Sequence, residues 1–367
     1  MKIAVVGAGS IGGFVAARLA AAGEELTVIA RRANLEAIRT HGLRLRTSEG
    51  EEQVIRNLRA TDSFVEAGPQ DVVILGMKAH QVEAVVDDLH DLLGADTVIV
   101  PMQNGIPWWY FQRMPRSAEG SQGQPGNTDG LTPAADGENP ASLATSLEGQ
   151  VVRSVDPEGR IMRSIDPQRL LGCVVYPACD MLGPGWVRHI EGERFPLGEL
   201  DGADTERVKR VSEAFARGGL KAPVLSDIRA EIWLKLWGNL TFNPISALSH
   251  STLVDICQYP LSRELAAAMM REAEAVAGRL GIRFRVSLEK RIAGAEKVGK
   301  HKTSMLQDVE SGRDPEIDAL VGSVIELGQI TGVPTPHINT VHALVKLLSQ
   351  RICHDGVAIR AHALTPV

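Results

Sequence analysis

The sequence predicts an α/β fold in which a doubly wound parallel sheet is followed by an all-helical C-terminal domain. In the first hundred residues, short apolar runs alternate with amphipathic stretches. This alternation is typical of parallel strands that are covered by helices on both faces. A glycine-rich segment, Gly7–Gly12, directly follows the first apolar run. From about Asp227 onward, apolar residues recur instead at helical spacing.

The composition of the 367 residues excludes several classes of protein. Hydrophobic residues make up 44% and charged residues 23% of the chain, so a wholly disordered chain is excluded. With 39 Lys and Arg against 45 Asp and Glu, the charge of -6 argues against nucleic-acid and membrane partners. The first apolar run is too short for a signal peptide or a membrane span, so we expect a cytoplasmic protein. We assign no metal site, because the four cysteines form neither a CxxC pair nor a cluster with histidine.

Residues 1–226 are predicted to contain the sheet. Four apolar runs predict parallel strands and one stretch predicts a helix: strands at Ile3–Val6, Leu26–Ala30, Asp71–Gly76 and Thr97–Pro101, and a helix at Ile11–Ala22. Three later runs are predicted as antiparallel strands at the edge of that sheet: Leu170–Tyr176, Trp186–Ile190 and Phe195–Leu197. A segment at about 117–146 is rich in Gly, Pro, Ser, Asn and Asp and predicts a mobile surface insertion.

Residues 227–367 are predicted to form a helical domain for substrate binding and dimerisation. Helical periodicity is found in five stretches: Ile228–Phe242, Ser262–Leu280, Ser287–Gly294, Glu316–Thr331 and His337–Leu348. We expect the substrate to bind where the two halves meet. A homodimer is compatible with this arrangement, although the sequence does not specify the oligomeric state.

Gly7-Ala8-Gly9-Ser10-Ile11-Gly12 has the GxGxxG spacing of a Rossmann-type dinucleotide site. The first glycine permits a tight turn, the second lets the backbone approach a pyrophosphate, and the third allows close packing of helix on strand. The amide groups at the start of the following helix would then face the phosphates. The alternative is a plain glycine turn, but the position between a strand and a helix favours dinucleotide binding.

The end of the second predicted strand favours NADP(H) over NAD(H). An acidic residue there would bind the ribose 2′-hydroxyl of NAD. Here the strand runs into Arg31 and Arg32 instead, and a guanidinium suits the 2′-phosphate of NADP. The sequence does not decide which arginine binds it, and two solvated loop charges are the alternative.

Polar residues that suit catalysis follow two strands and line one helix. Lys78 and Asn104 lie at the carboxyl ends of predicted strands, where doubly wound sheets bind ligands. Lys235, Asn239 and Asn243 are spaced at i, i+4 and i+8, so they share one side of an otherwise apolar helix. This stripe favours a substrate site that faces the cofactor. The alternative is a surface pair between Lys235 and Glu231, with two asparagines in capping roles.

Taken together, these segments resemble the ketopantoate reductase (2-dehydropantoate 2-reductase) family. The matching segments are Gly7–Gly12, Lys78-Ala79, Gln103-Asn104-Gly105, Trp233–Asn239, Asn243-Pro244, Ser304–Asp308 and Glu316-Ile317-Asp318. The resemblance covers residues 1 to about 330, apart from the insertion. It implies a Rossmann domain followed by a helical domain like that of 6-phosphogluconate dehydrogenase, and NADPH-dependent reduction of ketopantoate to pantoate on the way to pantothenate and coenzyme A.

The resemblance also implies a role for each matching residue. Lys235 would be the general acid for the carbonyl oxygen. Glu316 would bind the substrate hydroxyl or the cofactor ribose. The remaining matches would bind substrate (Asn239, Asn243 and Ser304) or line the junction of cofactor and substrate (Lys78 and Asn104).

Two departures from the family pattern concern the substrate more than the reaction. Pro315 precedes Glu316, where the family often has threonine, and the segment His250–Leu253 lacks an asparagine that commonly contacts substrate. An NADPH-dependent reductase of another 2-oxo acid or ketone is therefore an alternative. A non-catalytic NADPH-binding sensor is a second one, against which the polar stripe argues.

Overall fold

The structure is a computed structural model that describes residues 1–115, 143 and 146–362. The predicted insertion at about 117–146 thus lies outside the described residues, except for 143 and 146. The strands are β1 (Lys2–Val6), β2 (Glu25–Ile29), β3 (Leu43–Arg46), β4 (Glu52–Ile55), β5 (Arg59–Thr61), β6 (Gln70–Leu75), β7 (Leu93–Pro101), β8 (Leu171–Cys173), β9 (Ala178–Gly183), β10 (Trp186–Glu191) and β11 (Leu197–Glu199). Five of them form a parallel sheet in the order β5–β2–β1–β6–β7. The predicted parallel sheet is therefore confirmed.

Helices predominate after residue 227, as predicted. They are α1 (Ser10–Ala21), α2 (Arg32–His41), α3 (Phe64–Ala67), α4 (Arg160–Ser164), α5 (Glu206–Arg217), α6 (Ile228–Ser249), α7 (Leu253–Gln258), α8 (Pro260–Arg279), α9 (Leu288–Val298), α10 (Ser304–Glu310), α11 (Ser323–Thr331) and α12 (Pro336–Asp355). One π-helical turn, Asp318–Gly322, precedes α11, so the helix predicted over Glu316–Thr331 is irregular in its first half. No helix in the described ranges is long and apolar enough to cross a membrane.

The two faces of the parallel sheet belong to two different cores. Side chains alternate along a strand, so Ile3 and Val5 of β1 pack with α1 in one buried cluster. Ala4 and Val6 face the other way and belong to a cluster that continues into the helical half, where it includes Trp233. One continuous core thus joins the second face of the sheet to the C-terminal helices.

The strands that we expected at the sheet edge lie elsewhere. β9 and β10 form an antiparallel hairpin in a second sheet, whose order is β4–β3–β10–β9. This hairpin packs against α1, where a Cβ at Gly13 would come within 2.7 Å of the Val187 side chain. β8 and β11 pair with each other in a third sheet, and a single bridge between Ile99 and Leu170 connects them to β7. Covering the apolar face of α1 explains why this segment leaves the sheet edge.

Candidate active site

The glycine-rich loop between β1 and α1 has the geometry of a phosphate cradle. Gly7 has a φ of +98°, and its amide donates to the carbonyl of Ile29 at 2.9 Å. A Cβ at Gly12 would lie 2.0 Å from the Gly7 carbonyl oxygen, whereas a Cβ at Gly9 would have a single neighbour within 4 Å, at 4.0 Å. The loop is therefore closed on the side of the sheet and open above Gly9.

The start of α1 completes this cradle. Gly9 is its N-cap and offers no side chain to the free amides, and the first turn contains no acidic residue. The positive end of the helix dipole thus faces the open space above the loop, which suits a pyrophosphate.

Arg31 and Arg32 lie at the carboxyl end of β2, on the same edge of the sheet. Both side chains are exposed, and neither forms a hydrogen bond or an ion pair with a described residue. Arg31 is the N-cap of α2 and has extended backbone, whereas Arg32 has a φ of +53°. These two guanidinium groups, which have no partner among the described residues, suit a phosphate monoester better than a hydroxyl group.

Lys235 lies on α6 at the boundary between the two halves of the chain. Its ammonium donates to Asn104 Oδ1 at 2.5 Å and to the Val175 carbonyl oxygen. The Tyr176 ring lies beside it, with its centroid 5.8 Å from Nζ. An ammonium has three protons, so one of them is left for a ligand.

The surroundings of Lys235 make its ammonium more acidic than an ordinary one. Burial lowers the pKa of Lys235 from 10.5 to about 8, although the charge of Glu316 opposes this fall. Desolvation disfavours the charged form of a lysine. Near neutral pH the group is therefore protonated, yet it releases its proton more readily than a solvated lysine.

Asn104 is positioned by a close approach between the halves. Gly105 has a φ of +87°, and a Cβ there would lie 2.0 Å from the Ala319 carbonyl oxygen. The amide of Ile106 donates to that same oxygen at 3.0 Å. Ala319 belongs to the π-helical turn, a rare irregularity that is frequent at functional sites. The Asn104 loop is thus docked on the helical half, with its side chain turned to Lys235.

Asn239 and Asn243, the other two residues of the predicted stripe, follow Lys235 along α6. Asn239 is half-buried, and its side-chain amide makes no hydrogen bond with a described residue. Asn243 is buried, and its Nδ2 donates to the hydroxyl of Ser304 at 3.4 Å. The structure thus brings Asn243 and Ser304 together, whereas Asn239 keeps its hydrogen-bonding groups available.

Lys78 and the neighbouring Ala79 both contact the helical half across the boundary. Lys78 Nζ donates to Asp308 Oδ2 at 2.7 Å and to the Asp314 carbonyl at 2.9 Å, and the amide of Ala79 donates to Glu316 Oε1 at 3.4 Å. Lys78 therefore joins the halves by an ion pair. Asp308 lies in one of the segments that resemble the family, but the sequence assigns this aspartate no role, because its partner Lys78 is 230 residues away.

Two further site residues, Tyr176 and Glu231, were not recognised from the sequence. The Tyr176 hydroxyl donates to Glu231 Oε1 at 2.8 Å, and Arg194 Nη1 donates to the same oxygen at 2.5 Å. The suggested surface pair between Glu231 and Lys235 is therefore wrong, because Glu231 is engaged by Tyr176 and Arg194. No local pattern marks Tyr176, whose position depends on the fold of the segment around β8 and β9.

Comparisons with known proteins agree with this geometry. The family model for ketopantoate reductase PanE/ApbA matches residues 3–107, and the model for its C-terminal part matches residues 227–349. A 2-dehydropantoate 2-reductase of Mesorhizobium japonicum is 48% identical over 357 residues, which cover 97% of this chain and 100% of the relative.

Solved structures show the same architecture. A candidate ketopantoate reductase from Ralstonia solanacearum MolK2 has a TM-score of 0.83 and 39% identity, and the match covers 96% of this chain and 98% of that one. A D-mandelate dehydrogenase solved with NADH and anilino(oxo)acetate has a TM-score of 0.75 at 22% identity, covering 96% of this chain and 99% of that one. The second likeness concerns the fold alone. Because two family models match most of the chain and one relative is 48% identical over nearly its whole length, the chain belongs to the ketopantoate reductase family of oxidoreductases.

Proposed function

We propose that this protein reduces 2-dehydropantoate (ketopantoate) to pantoate, with NADPH as the reductant and Lys235 as the general acid. The observation that carries the proposal is the Lys235 ammonium, which is fixed by Asn104 and Val175, has one free proton, and has a pKa of about 8. Family membership and the 48% identical reductase support the same substrate.

In this proposal, residues 1–226 bind the dinucleotide. The loop Gly7–Gly12 and the start of α1 would hold the pyrophosphate, and Arg31 would hold the 2′-phosphate. NADPH, once bound, supplies the hydride for the carbonyl carbon. The choice of NADPH is supported by Arg31 and Arg32 at the end of β2, which have no partner among the described residues, and by the absence of an acid at that position in the sequence. A D-mandelate dehydrogenase of the same fold was solved with NADH, so the cofactor is the first point to test.

Residues 227–367 would supply the proton. As the carbonyl carbon gains a hydride, negative charge accumulates on its oxygen, and an ammonium within hydrogen-bond distance both stabilises and protonates that oxygen. The Asn104 side chain and the Val175 carbonyl hold the ammonium in place, so little reorganisation is needed when the proton moves. After the transfer Lys235 is a neutral amine, and burial, which lowers its pKa, favours this neutral form.

The remaining polar residues would orient the substrate. Asn239 has free hydrogen-bonding groups one helical turn from Lys235, and Asn243 and Ser304 form a second polar contact beyond it. Glu316 lies near enough to raise the pKa of Lys235 and would accept from a substrate or ribose hydroxyl. Lys78, held by its ion pair with Asp308, would line the cofactor site.

The test follows NADPH oxidation by the purified protein with ketopantoate, with NADH as the cofactor control. We expect fast turnover that prefers NADPH and is lost in Lys235→Ala. The control is Lys290→Ala, which removes an exposed lysine of α9. Tight NADPH binding without turnover of any 2-oxo acid would refute catalysis and favour a sensor.

A second candidate is the same reaction on a different 2-oxo acid. It is favoured by the segment at Leu253, where the backbone amide donates to His301 and a capping box of Thr252 and Asp255 begins α7. The polar groups of this segment therefore cap a helix, and the segment has no asparagine that could bind a ligand. A panel of branched 2-oxo acids separates the two candidates, since the better substrate will have the higher kcat/KM.

A further inference from the structure

Arg291 on α9 has a guanidinium group that the structure leaves without a partner. It forms no hydrogen bond or ion pair with any residue in the described part of the chain, and its Nε is buried without an acceptor. Burial lowers the pKa of Arg291. A buried cation without an anionic partner is unfavourable, so a counter-charge from a ligand would relieve that cost.

The guanidinium lies against the catalytic helix. A Cβ added at Gly238 of α6 would come within 2.4 Å of Arg291 Nη2 and 3.1 Å of its Cζ. Gly238 is three residues after Lys235, so both positions lie on neighbouring parts of one side of α6. The missing side chain at Gly238 is what lets Arg291 reach this surface.

Tyr176 links the arginine to the candidate acid. Its ring centroid is 5.8 Å from Lys235 Nζ, and its hydroxyl is fixed by a hydrogen bond to Glu231. Burial and Glu231 raise the pKa of Tyr176 to about 12, while the charges of Arg194 and, more weakly, Arg291 oppose this rise. Tyr176 therefore stays a neutral phenol, so it does not neutralise the guanidinium near it.

We propose that Arg291 is a specificity residue that receives the carboxylate of the 2-oxo acid while Lys235 faces its carbonyl oxygen. A guanidinium binds a carboxylate through two parallel hydrogen bonds, which fixes the orientation of the carbonyl next to it. In the described chain, Asn239 and Ser304 offer neutral donors, whereas Arg291 offers an unpaired positive charge. This inference rests on the proposed reduction of a 2-oxo acid.

The test compares Arg291→Gln and Arg291→Lys with the wild-type enzyme. We expect Arg291→Gln to raise the KM for ketopantoate and the inhibition constant of pantoate by about 10- to 100-fold, the usual weight of a charged hydrogen-bonded pair. The Kd of NADPH, from a fluorescence titration, should stay at the wild-type value, and the Tm should not fall, because the variant removes a buried charge without a partner. Arg291→Lys keeps the charge but cannot form two parallel hydrogen bonds, so its KM for ketopantoate should lie between those of the wild type and Arg291→Gln.

Two controls separate this role from a structural one. Arg283→Gln removes an exposed arginine from the segment before α9 and should leave every parameter unchanged. Gly238→Ala should displace the guanidinium and raise the KM as Arg291→Gln does, while the Kd of NADPH is kept.

Three results would count against these proposals. If the wild-type enzyme reduces ketopantoate and Arg291→Gln has the same KM, the role of Arg291 is overturned and the proposed function stands. A rise in KM that is matched by losses in NADPH affinity and Tm also overturns it, because the residue would then be structural. Failure of the wild-type enzyme to reduce any 2-oxo acid overturns the proposed function and this inference with it.

Discussion

Replacement of Lys235 by methionine should remove catalysis without unfolding the protein. A lysine whose pKa falls from 10.5 to about 8 costs the folded state about 3 kcal/mol while it is charged, at about 1.4 kcal/mol per unit of pKa. Lys235→Met abolishes that cost but leaves Asn104 Oδ1 and the Val175 carbonyl without their donor, which costs about 1–3 kcal/mol for each acceptor. The two effects nearly cancel near pH 7, so the variant should be about as stable as the wild type.

The pH dependence of stability gives the sharper test of the same substitution. Below pH 8 the lysine is charged in both the folded and the unfolded chain, and the full cost is present. Between pH 8 and 10.5 the folded protein releases the proton while the unfolded chain keeps it, so stability rises with pH. Relative to Lys235→Met, the wild-type free energy of unfolding should therefore rise by about 2.5 kcal/mol between pH 7 and pH 10.

Urea denaturation of both proteins at pH 7, 8, 9 and 10 measures this difference, because the titration of all other groups cancels. Lys290→Met, at an exposed lysine, serves as the control and should follow the wild type at every pH. A difference between wild type and Lys235→Met that does not change with pH would refute the claim that burial acidifies this ammonium.

Three other predictions concern the reaction, the cofactor and the contact between the halves. If protonated Lys235 is the acid, kcat/KM should fall about tenfold per pH unit above pH 8; a flat profile to pH 10 would contradict this. Arg31→Ala should raise the KM for NADPH about tenfold and leave that for NADH unchanged, and equal effects on both cofactors would exclude binding of the 2′-phosphate. Gly105→Ala places a Cβ 2.0 Å from the Ala319 carbonyl oxygen, so it should cost about 2–4 kcal/mol in urea unfolding and lower kcat; wild-type values for both would show that this approach is not required.

Features that depend on neighbouring residues were predictable from the sequence. The strand, glycine loop and helix over residues 2–21 follow from a short apolar run, a fixed glycine spacing and helical periodicity. The stripe of Lys235, Asn239 and Asn243 follows from the helical repeat alone. In each case the information lies within about ten residues, which is the range over which backbone preferences act.

Features that depend on distant contacts were not predictable in this way. β10 pairs with β3, some 140 residues earlier, and nothing in either segment specifies the other. Lys78 was expected at the cofactor, but its immediate partner is Asp308. Arg291 is one charged residue among several on α9, and two features of the folded chain distinguish it: its contact with Gly238 and its buried Nε without an acceptor.

The candidate acid exists only when the two halves are docked. Asn104 comes from the sheet and Lys235 from α6, and their hydrogen bond at 2.5 Å depends on the approach of Gly105 to Ala319. The ion pair of Lys78 with Asp308 and the contact of Ala79 with Glu316 hold the same boundary. Since the pKa of Lys235 is lowered by burial, loosening this boundary would hydrate the ammonium and return its pKa toward 10.5. Docking of the halves therefore tunes the acid as well as placing it, and substitutions at the boundary should shift the alkaline limb of the rate profile to higher pH as they lower the rate.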